Sequence, residues 1–456
     1  MKSAFSGLRY LWTSQDIRRK LVVTLVILVI YRLAANVPVP GINGAALKSL
    51  LQGANSSGSF FAFLDLLSGG TISHFSLLAM GVYPYITAQI ILQLLTPIFP
   101  ALQRKMEEDP REGRKWQEKW TYYLAIPMAT LSALGQINLF NSYSNQAGLG
   151  PIVPFGFTST LWISSLTLLL TMVGGTMFAI WLGELISEYG IRGQGLSLII
   201  FAGIVARMPA SFVSLLADKQ HGWILVISMV IVIVAVIYAI VYVQQGRRYV
   251  PVMYPGRRVG SRMSMPVKGT LPLMVNLAGM IPLIFASAIL QFPAIIASYF
   301  VNNANAAVAK FASSTQSVFS NGGGIYYLLY FLMVVSFTFF YTDVMFSQQN
   351  YGENLKKAGA QIPGVNRGAP TQKYLTKVQR RITLPGALFL GVVAVLGYII
   401  NVILKLFGIG GTTSSSTIFL VSAAGLLIVV GVVRDTFLNI DAELKLHGYD
   451  DARLVR

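Results

Sequence analysis

Residues with reactive side chains are few in this chain and lie far apart. The three histidines, His74, His221 and His447, occupy separate regions, and none has the spacing of an HExxH metal pair. The absence of cysteine excludes thiol chemistry, and the absence of a GxxxxGK[ST] motif excludes a phosphate loop for nucleotide hydrolysis. The three glycines of GIRGQG, residues 190–195, open no βαβ unit and indicate a turn. The residue pattern therefore predicts no catalytic, cofactor-binding or metal site.

Ionisable residues inside apolar segments are scarce. Asp343 lies late in the apolar run that contains FFYTDVMF, and Arg32 and Glu184 lie at the ends of other runs. Asp343 could relay ions or protons, or it could pair locally near a membrane interface. The second interpretation is favoured, because a proton pathway usually needs several such groups. The same scarcity weighs against a secondary ion-coupled transporter of a small solute without excluding one.

The composition predicts an all-α polytopic membrane protein. The 456 residues are 54% hydrophobic and 11% charged, against about 25% charged in an average soluble chain. Runs of this length satisfy their own backbone hydrogen bonds in lipid only as helices or closed barrels, and alternating barrel strands are not seen. Ten apolar runs are candidate spans: 21–35, 75–96, 121–140, 159–183, 195–208, 222–243, 271–296, 325–346, 384–407 and 415–433.

The distribution of basic residues predicts the orientation. With ten spans both termini lie on one side, and the segments on that side carry 29 of the 35 Lys and Arg residues. The positive-inside bias therefore places both termini in the cytoplasm. The first apolar run follows basic residues but lacks a convincing cleavage site, so it is interpreted as a retained span rather than a signal peptide.

Two long cytoplasmic loops are strongly basic. Residues 244–270 contain six Lys or Arg and no acidic residue, and residues 347–383 contain seven with Glu353 as the one acid. Topology alone explains basic loops, but loops of this length with interleaved Tyr and Pro could also dock an anionic partner such as ribosomal RNA or an acidic protein face. Both interpretations stay open at this level.

Five phrases, in order along nearly the whole chain, resemble the SecY family, the protein-conducting channel of the bacterial plasma membrane. They are YRLAANVPVPGI (31–42), GVYPYITAQIILQLL (81–95), WLGELISEYGI with LSLIIFAGIVA (181–206), LPLMVNLAGMIPLIFASAIL (271–290) and ENLKKAGAQIPG (353–364). The resemblance implies ten transmembrane helices in two inverted five-helix halves, residues 1–207 and 208–456, around an hourglass pore. It also implies no cofactor.

The resemblance implies three kinds of residue along the pore. A ring of aliphatic side chains would narrow the hourglass: Val82, Ile86, Leu196, Ile200, Ile284 and Ile428. A plug helix at about residues 61–73 would sit beneath the ring and include Phe61, Leu64, Leu67, Gly69, Gly70 and Ile72. A lateral gate between the second and seventh spans would include Pro84, Gln89, Gln93, Asn276 and Pro282, with each proline removing a helical hydrogen bond and Gly279 allowing close backbone approach.

The resemblance also implies partners and a location. The partners would be small subunits resembling SecE and SecG, a SecA-type ATPase, the ribosome, unfolded polypeptides bearing signal sequences, and membrane lipid, with no direct DNA binding. The docking surface for motor or ribosome would include Arg247, Arg248, Arg257, Arg258, Arg262, Lys268, Lys356, Lys357 and Arg367. The location would be the plasma (inner) membrane, crossed several times, and the channel would be passive rather than an enzyme.

Overall fold

The structure is a computed structural model, and it describes most of the chain. The described residues are 15–44, 47, 71, 75–99, 102, 110–146, 148, 150–156, 162–191, 193, 195–216, 222–254, 258–259, 262–263, 267–301, 305–320, 324–406 and 413–446.

Helices dominate the described part of the chain. They are α1 (Gln15–Ala35), α2 (Tyr83–Ile98), α3 (Pro110–Gln146), α4 (Trp162–Tyr189), α5 (Gly195–Leu216), α6 (Gly222–Gln245), α7 (Ile281–Phe300), α8 (Ala306–Ser320), α9 (Gly324–Gln348), α10 (Tyr351–Lys357), α11 (Ala369–Leu406) and α12 (Thr413–Leu446). Each of the ten predicted spans overlaps one of these helices. Within the described residues, α3, α4, α9 and α11 are long and apolar enough to cross a membrane by length and composition. The count of ten spans stays a prediction.

The outer faces of the helices are apolar, as a lipid environment requires. Ile163 on α4 is 70% exposed, and Leu25 on α1, Val234 on α6 and Leu328 on α9 are also exposed. In a water-soluble protein such large exposed apolar surfaces would be unfavourable, whereas lipid tails solvate them. The exposed aliphatic side chains therefore mark helix faces that meet lipid or another membrane subunit.

The helices pack mainly with neighbours from the same half of the chain. In the first half, α1 contacts α4 and α5, α2 contacts α3, and α3 contacts α4. In the second half, α7 contacts α8 and α9, and α11 contacts α9 and α12, while α6 contacts α12. The two sets meet where α5 contacts α6 and α12, where α3 contacts α7, and where α2 contacts α7 and α9.

Two predicted spans begin later than the apolar runs suggested. The run from Phe75 passes through turns before α2 starts at Tyr83, and the run from Leu271 continues a strand before α7 starts at Ile281. Phe75 has a φ of 41° and Gly279 a φ of 64°, both in the left-handed region that interrupts a helix. Helix α8, which follows α7, was not predicted as a separate element.

A β-hairpin rises from the end of α6. Strands β1 (Arg247–Tyr254) and β4 (Val267–Met274) pair antiparallel with Arg247 opposite Met274, and the short strands β2 (Arg258–Val259) and β3 (Arg262–Met263) pair between them. Residues 244–270 were predicted to form a loop, so the hairpin is a structural finding.

Candidate functional site

Five of the six predicted ring side chains lie in one apolar cluster. They are Val82, which directly precedes α2, Ile86 on α2, Leu196 and Ile200 on α5, and Ile428 on α12. Val82 and Ile428 are each 3% exposed. The cluster brings branched aliphatic side chains from three helices of different sequence regions into contact. Such side chains offer no hydrogen-bonding group to water or to an ion.

The sixth predicted ring residue, Ile284, is placed differently. It lies in the first turn of α7 and is buried, but it is not a member of that cluster. Met280, one turn earlier, packs against the cluster instead. Met280, which directly precedes α7, is thus the residue at this helix start that packs against the cluster, and it was not among the predicted ring residues.

Helices α2 and α7 begin with the same turn. The sequences Gly81-Val82-Tyr83-Pro84 and Gly279-Met280-Ile281-Pro282 place a left-handed glycine three residues before a proline. The N-cap residues of the two helices have matching backbone angles, φ −94° and ψ 5° at Val82 and φ −95° and ψ −8° at Met280. Of these two N-cap residues, Val82 is a buried member of the apolar cluster and Met280 packs against it.

This turn corrects two predictions about the gate. Pro84 and Pro282 lie in the first turn of their helices, where the backbone N–H has no helical partner anyway, so neither proline removes a helical hydrogen bond. A Cβ at Gly279 would meet no atom within 4 Å, so the glycine serves the positive φ and not a close backbone approach. Asn276 fixes the turn: its Oδ1 accepts from the Gly279 N–H at 3.0 Å, and its Nδ2 donates to the Gly279 carbonyl at 3.2 Å.

The seam between the two halves holds a polar contact in an apolar setting. The Tyr341 hydroxyl on α9 donates to the Gln93 Oε1 on α2 at 3.2 Å. Tyr341 is buried, Gln93 is half-buried, and Gln89, one turn away on α2, is also half-buried. The sequence pointed to Gln93 but missed Tyr341. The available signal was a phenol within an apolar run, because a buried tyrosine hydroxyl needs a partner.

A second part of the seam is a close contact between α3 and α7. Gly135 on α3 faces Ile295 on α7, and a Cβ built at Gly135 would lie 2.9 Å from the Ile295 Cγ2. The absence of a side chain at Gly135 therefore lets α3 and α7 approach closely at this point. The sequence comparison did not identify this contact.

The predicted plug residues, Phe61, Leu64, Leu67, Gly69, Gly70 and Ile72, lie outside the described residues. Thr71, which lies within the predicted plug range, is hydrogen-bonded to residues that precede α2. The Thr71 hydroxyl donates to the Leu78 carbonyl at 2.7 Å, and the Ser76 N–H donates to the Thr71 carbonyl at 3.1 Å. Phe75 is fully buried. Residues 75–82, which lead into α2, thus form turns rather than a helix.

The described parts of the two basic loops pack together as one small domain, here called the loop domain (the described residues within 246–275 and 346–379). The Met253 N–H donates to the Gln361 carbonyl at 2.8 Å, and the Gln361 N–H donates back to the Met253 carbonyl at 2.8 Å. Beneath the hairpin lies an apolar core. Its fully buried side chains include Val250, Val252, Leu273, Phe346, Ile362 and Leu375. The Gln379 Nε2 donates to the Met274 carbonyl at 3.1 Å and ties the hairpin to α11.

The predicted docking residues lie on the outside of the loop domain wherever their side chains are described. These are Arg247, Arg248, Lys268, Lys356, Lys357 and Arg367, all exposed. The backbones of Arg258 and Arg262 lie in β2 and β3, and Arg257 is outside the described residues. Folding therefore assembles six cations from two separate loops on one domain.

Asp343 forms an ion pair, as the local interpretation expected. Its carboxylate accepts from the Arg380 Nη2 at 2.9 Å and from the Arg380 Nε at 3.1 Å. Arg380 belongs to α11, so the pair joins α9 to α11 at the edge of the loop domain. The guanidinium engages both carboxylate oxygens of Asp343, which is the local pairing that the second interpretation predicted.

Comparison with known proteins shows which family has this sequence and which solved structures share this architecture. The SecY family model matches residues 76–437. A curated relative, the protein translocase subunit SecY of Aquifex aeolicus, is 39% identical over 441 residues, which cover 96% of each chain. A solved structure concerns the plug domain of a SecY protein, which stabilises the closed state of the translocation channel and maintains a membrane seal. It matches with a TM-score of 0.60 at 19% identity, over 95% of this chain and 94% of that one. Sec61 in the canine ribosome–channel complex from the endoplasmic reticulum matches with a TM-score of 0.55 at 19% identity over the same shares.

Proposed function

Since the chain belongs to the SecY family and is therefore a multi-pass membrane subunit of a protein-conducting channel, we propose that unfolded secretory polypeptides bearing signal sequences cross the membrane through it. The observation that carries the proposed route is the apolar cluster containing Val82, Ile86, Leu196, Ile200 and Ile428. A constriction of aliphatic side chains excludes water and ions by dewetting and can fit around a passing chain without binding it. Family membership favours this channel over a small-solute transporter.

The channel is composed of two inverted halves, residues 1–207 and 208–456. The shared Gly-X-X-Pro turn supports this division, because it starts α2 in one half and α7 in the other with matching N-cap geometry. Inverted repeats place equivalent helices on either side of a central pathway. The ring then draws Val82 from the first turn and Met280 or Ile284 from the second.

The lateral gate lies where α2 meets α7 and α9. Apolar helices leave the channel for lipid when this seam parts. Its closed form is supported by the Tyr341–Gln93 hydrogen bond and by the packing of α2 on α7. One hydrogen bond of this kind contributes only about 1 kcal/mol net, so the seam is held weakly enough to open. The plug, at about residues 61–73, seals the resting channel beneath the ring.

The energy for transport comes from partners, because the sequence has no phosphate loop. A SecA-type ATPase or the translating ribosome pushes the polypeptide, and small subunits resembling SecE and SecG complete the complex. The chain lies in the plasma (inner) membrane with both termini in the cytoplasm, which places the loop domain on the cytoplasmic side. The channel is passive and uses no cofactor.

A photocrosslinking experiment tests the route. A photoreactive amino acid at Ile200, in the apolar cluster, is expected to crosslink to a stalled secretory precursor, because the precursor must pass the constriction. The matched control is the same amino acid at Ile163, which is 70% exposed on α4 and faces lipid. Equal crosslinking at the two positions, or none at Ile200, would contradict the route.

Charge reversal on the hairpin tests the docking surface. Arg247→Glu with Arg248→Glu is expected to weaken ribosome or motor binding about tenfold at physiological salt, since rim charges steer an anionic partner. Binding to the reconstituted channel is the measurement, with Lys310→Glu on α8 as a charge-reversal control outside the loop domain. Both variants should insert normally. Unchanged binding by the double variant would show that the partner docks elsewhere.

A further inference from the structure

A groove of about 920 Å³ runs along the first part of α11, where that helix leaves the loop domain. Nine of its twelve lining residues have polar or charged side chains, among them five cations and one carboxylate, that of Glu353. The cations are Lys356, Lys373, Lys377, Arg380 and Arg381. Four of them were not among the predicted docking residues, so the groove is distinct from most of that surface.

The positive charge of the groove is mostly unneutralised. Arg380 is paired with Asp343, and Glu353 lies 3.6 Å from Lys357, which is not part of the lining. In the part of the chain that the structure describes, Lys373, Lys377 and Arg381 form no ion pair. Three cations spaced along two turns of one helix therefore face an open groove, and none of the three has an ion-pair partner among the described residues.

The groove ends in an aliphatic stripe. Leu384 belongs to the lining and is 52% exposed, and Leu388 and Val392 follow it at one-turn intervals and are also exposed. Positions 377, 381, 384, 388 and 392 follow the i, i+3 and i, i+4 spacing of a single helix face. That face changes from cationic to aliphatic within one turn, at the point where α11 enters its apolar segment.

We propose that this groove binds the headgroup of an anionic phospholipid, with the acyl chains along Leu384, Leu388 and Val392. A phospholipid offers phosphate oxygens directly joined to aliphatic chains, which matches the order of the two surfaces. RNA is a hydrated polyanion and would leave the aliphatic stripe without a partner. A lipid headgroup at a membrane surface also lies at the depth where helices carry juxtamembrane Lys and Arg.

Photoactivatable lipids in vesicles test this proposal on the full chain with its membrane partners. In phosphatidylcholine vesicles, phosphatidylglycerol with a photoreactive acyl chain is expected to label the peptide containing residues 384–392 several-fold more than photoreactive phosphatidylcholine does. The triple variant Lys373→Gln, Lys377→Gln, Arg381→Gln should reduce that preference more than tenfold, since each basic residue strengthens attraction to an anionic surface roughly fivefold. Raising the salt concentration should reduce it as well.

Two further variants keep the result interpretable if the triple variant folds poorly. Glu353→Gln removes the one carboxylate of the lining and is expected to raise phosphatidylglycerol labelling about two- to fivefold. Arg247→Gln, Arg248→Gln, Lys268→Gln removes the same charge from the hairpin and should leave labelling unchanged. Equal labelling by the two lipids, or an equal loss in both triple variants, would overturn the proposal. The proposal would also be overturned if RNA added to neutral vesicles protected Lys373 and Lys377 from an amine-modifying reagent and phosphatidylglycerol gave no such protection.

Discussion

Asparagine at Ile86, Ile200 and Ile428 is expected to leave the protein inserted in the membrane but permeable to ions at rest. All three side chains belong to the apolar cluster, and each comes from a different helix. A polar ring holds water where an aliphatic ring expels it, and a wetted constriction conducts. The resting conductance of planar bilayers containing the triple variant should rise by on the order of tenfold or more.

The control for this experiment lies in the same cluster. Ile17 and Ile27 on α1 are buried members of it but are not ring positions. Asparagine at either of them introduces the same unpaired amide, which costs about 1–3 kcal/mol of stability. If the leak arises from loosened packing, these variants will leak as much as the ring variants, and the ring proposal will be wrong.

Deleting residues 61–73 tests the plug in the same bilayers and is expected to produce a resting leak while the ring is intact.

The existence of the helices was predictable, but two of their starts were not. Apolar runs report burial in lipid or protein, and they do not distinguish a helix from a buried strand or turn. For this reason 75–82 and 271–280 were assigned to spans, although a left-handed glycine interrupts each segment. The sequence did contain a signal for the two helix starts, namely a glycine three residues before a proline. Proline favours the first turn of a helix, so this pattern indicates that the helix begins just before the proline.

The hairpin shows a different limit. Met253 pairs with Lys268 within the hairpin, and its backbone also exchanges two hydrogen bonds with Gln361. The latter contact spans more than a hundred residues and depends on α9 and α11 bringing the two loops together. Local sequence described each loop as basic and irregular. Only the tertiary fold shows that they share one apolar core and expose their cations together.

The functional site was predictable in its residue types and less so in its contacts. The resemblance supplied six ring positions, and five of them lie in one cluster. Met280 and Tyr341 were missed because each contacts residues that are distant in sequence. The Tyr341 hydroxyl reaches Gln93 across 248 residues, and no local pattern reports such a pairing.

Joining α2 to α9 across the seam is expected to stop transport. Cysteines at Gln93 and Tyr341 would be the only two thiols, because the natural chain has none. A reducible bifunctional thiol reagent restores the lost side-chain length and links the helices covalently. If signal sequences enter by parting this seam, precursor transport into vesicles should fall more than about tenfold and should recover on reduction, since a hydrogen bond of about 1 kcal/mol opens readily and a covalent link does not.

The matching control links two helices of the same half. Phe285 on α7 and Phe337 on α9 are in contact, with ring centroids 4.6 Å apart. The same reagent on a cysteine pair at these positions should leave transport near its normal rate. Tyr341→Phe makes the opposite change, because it removes the hydrogen bond without adding a link. It should shift the closed–open equilibrium roughly 2- to 10-fold toward opening and admit signal sequences of lower hydrophobicity. If the channel linked at positions 93 and 341 transports precursor at the full rate, the opening lies elsewhere. If that link blocks transport while the channel linked at positions 285 and 337 transports normally, the moving boundary lies between α2 and α9.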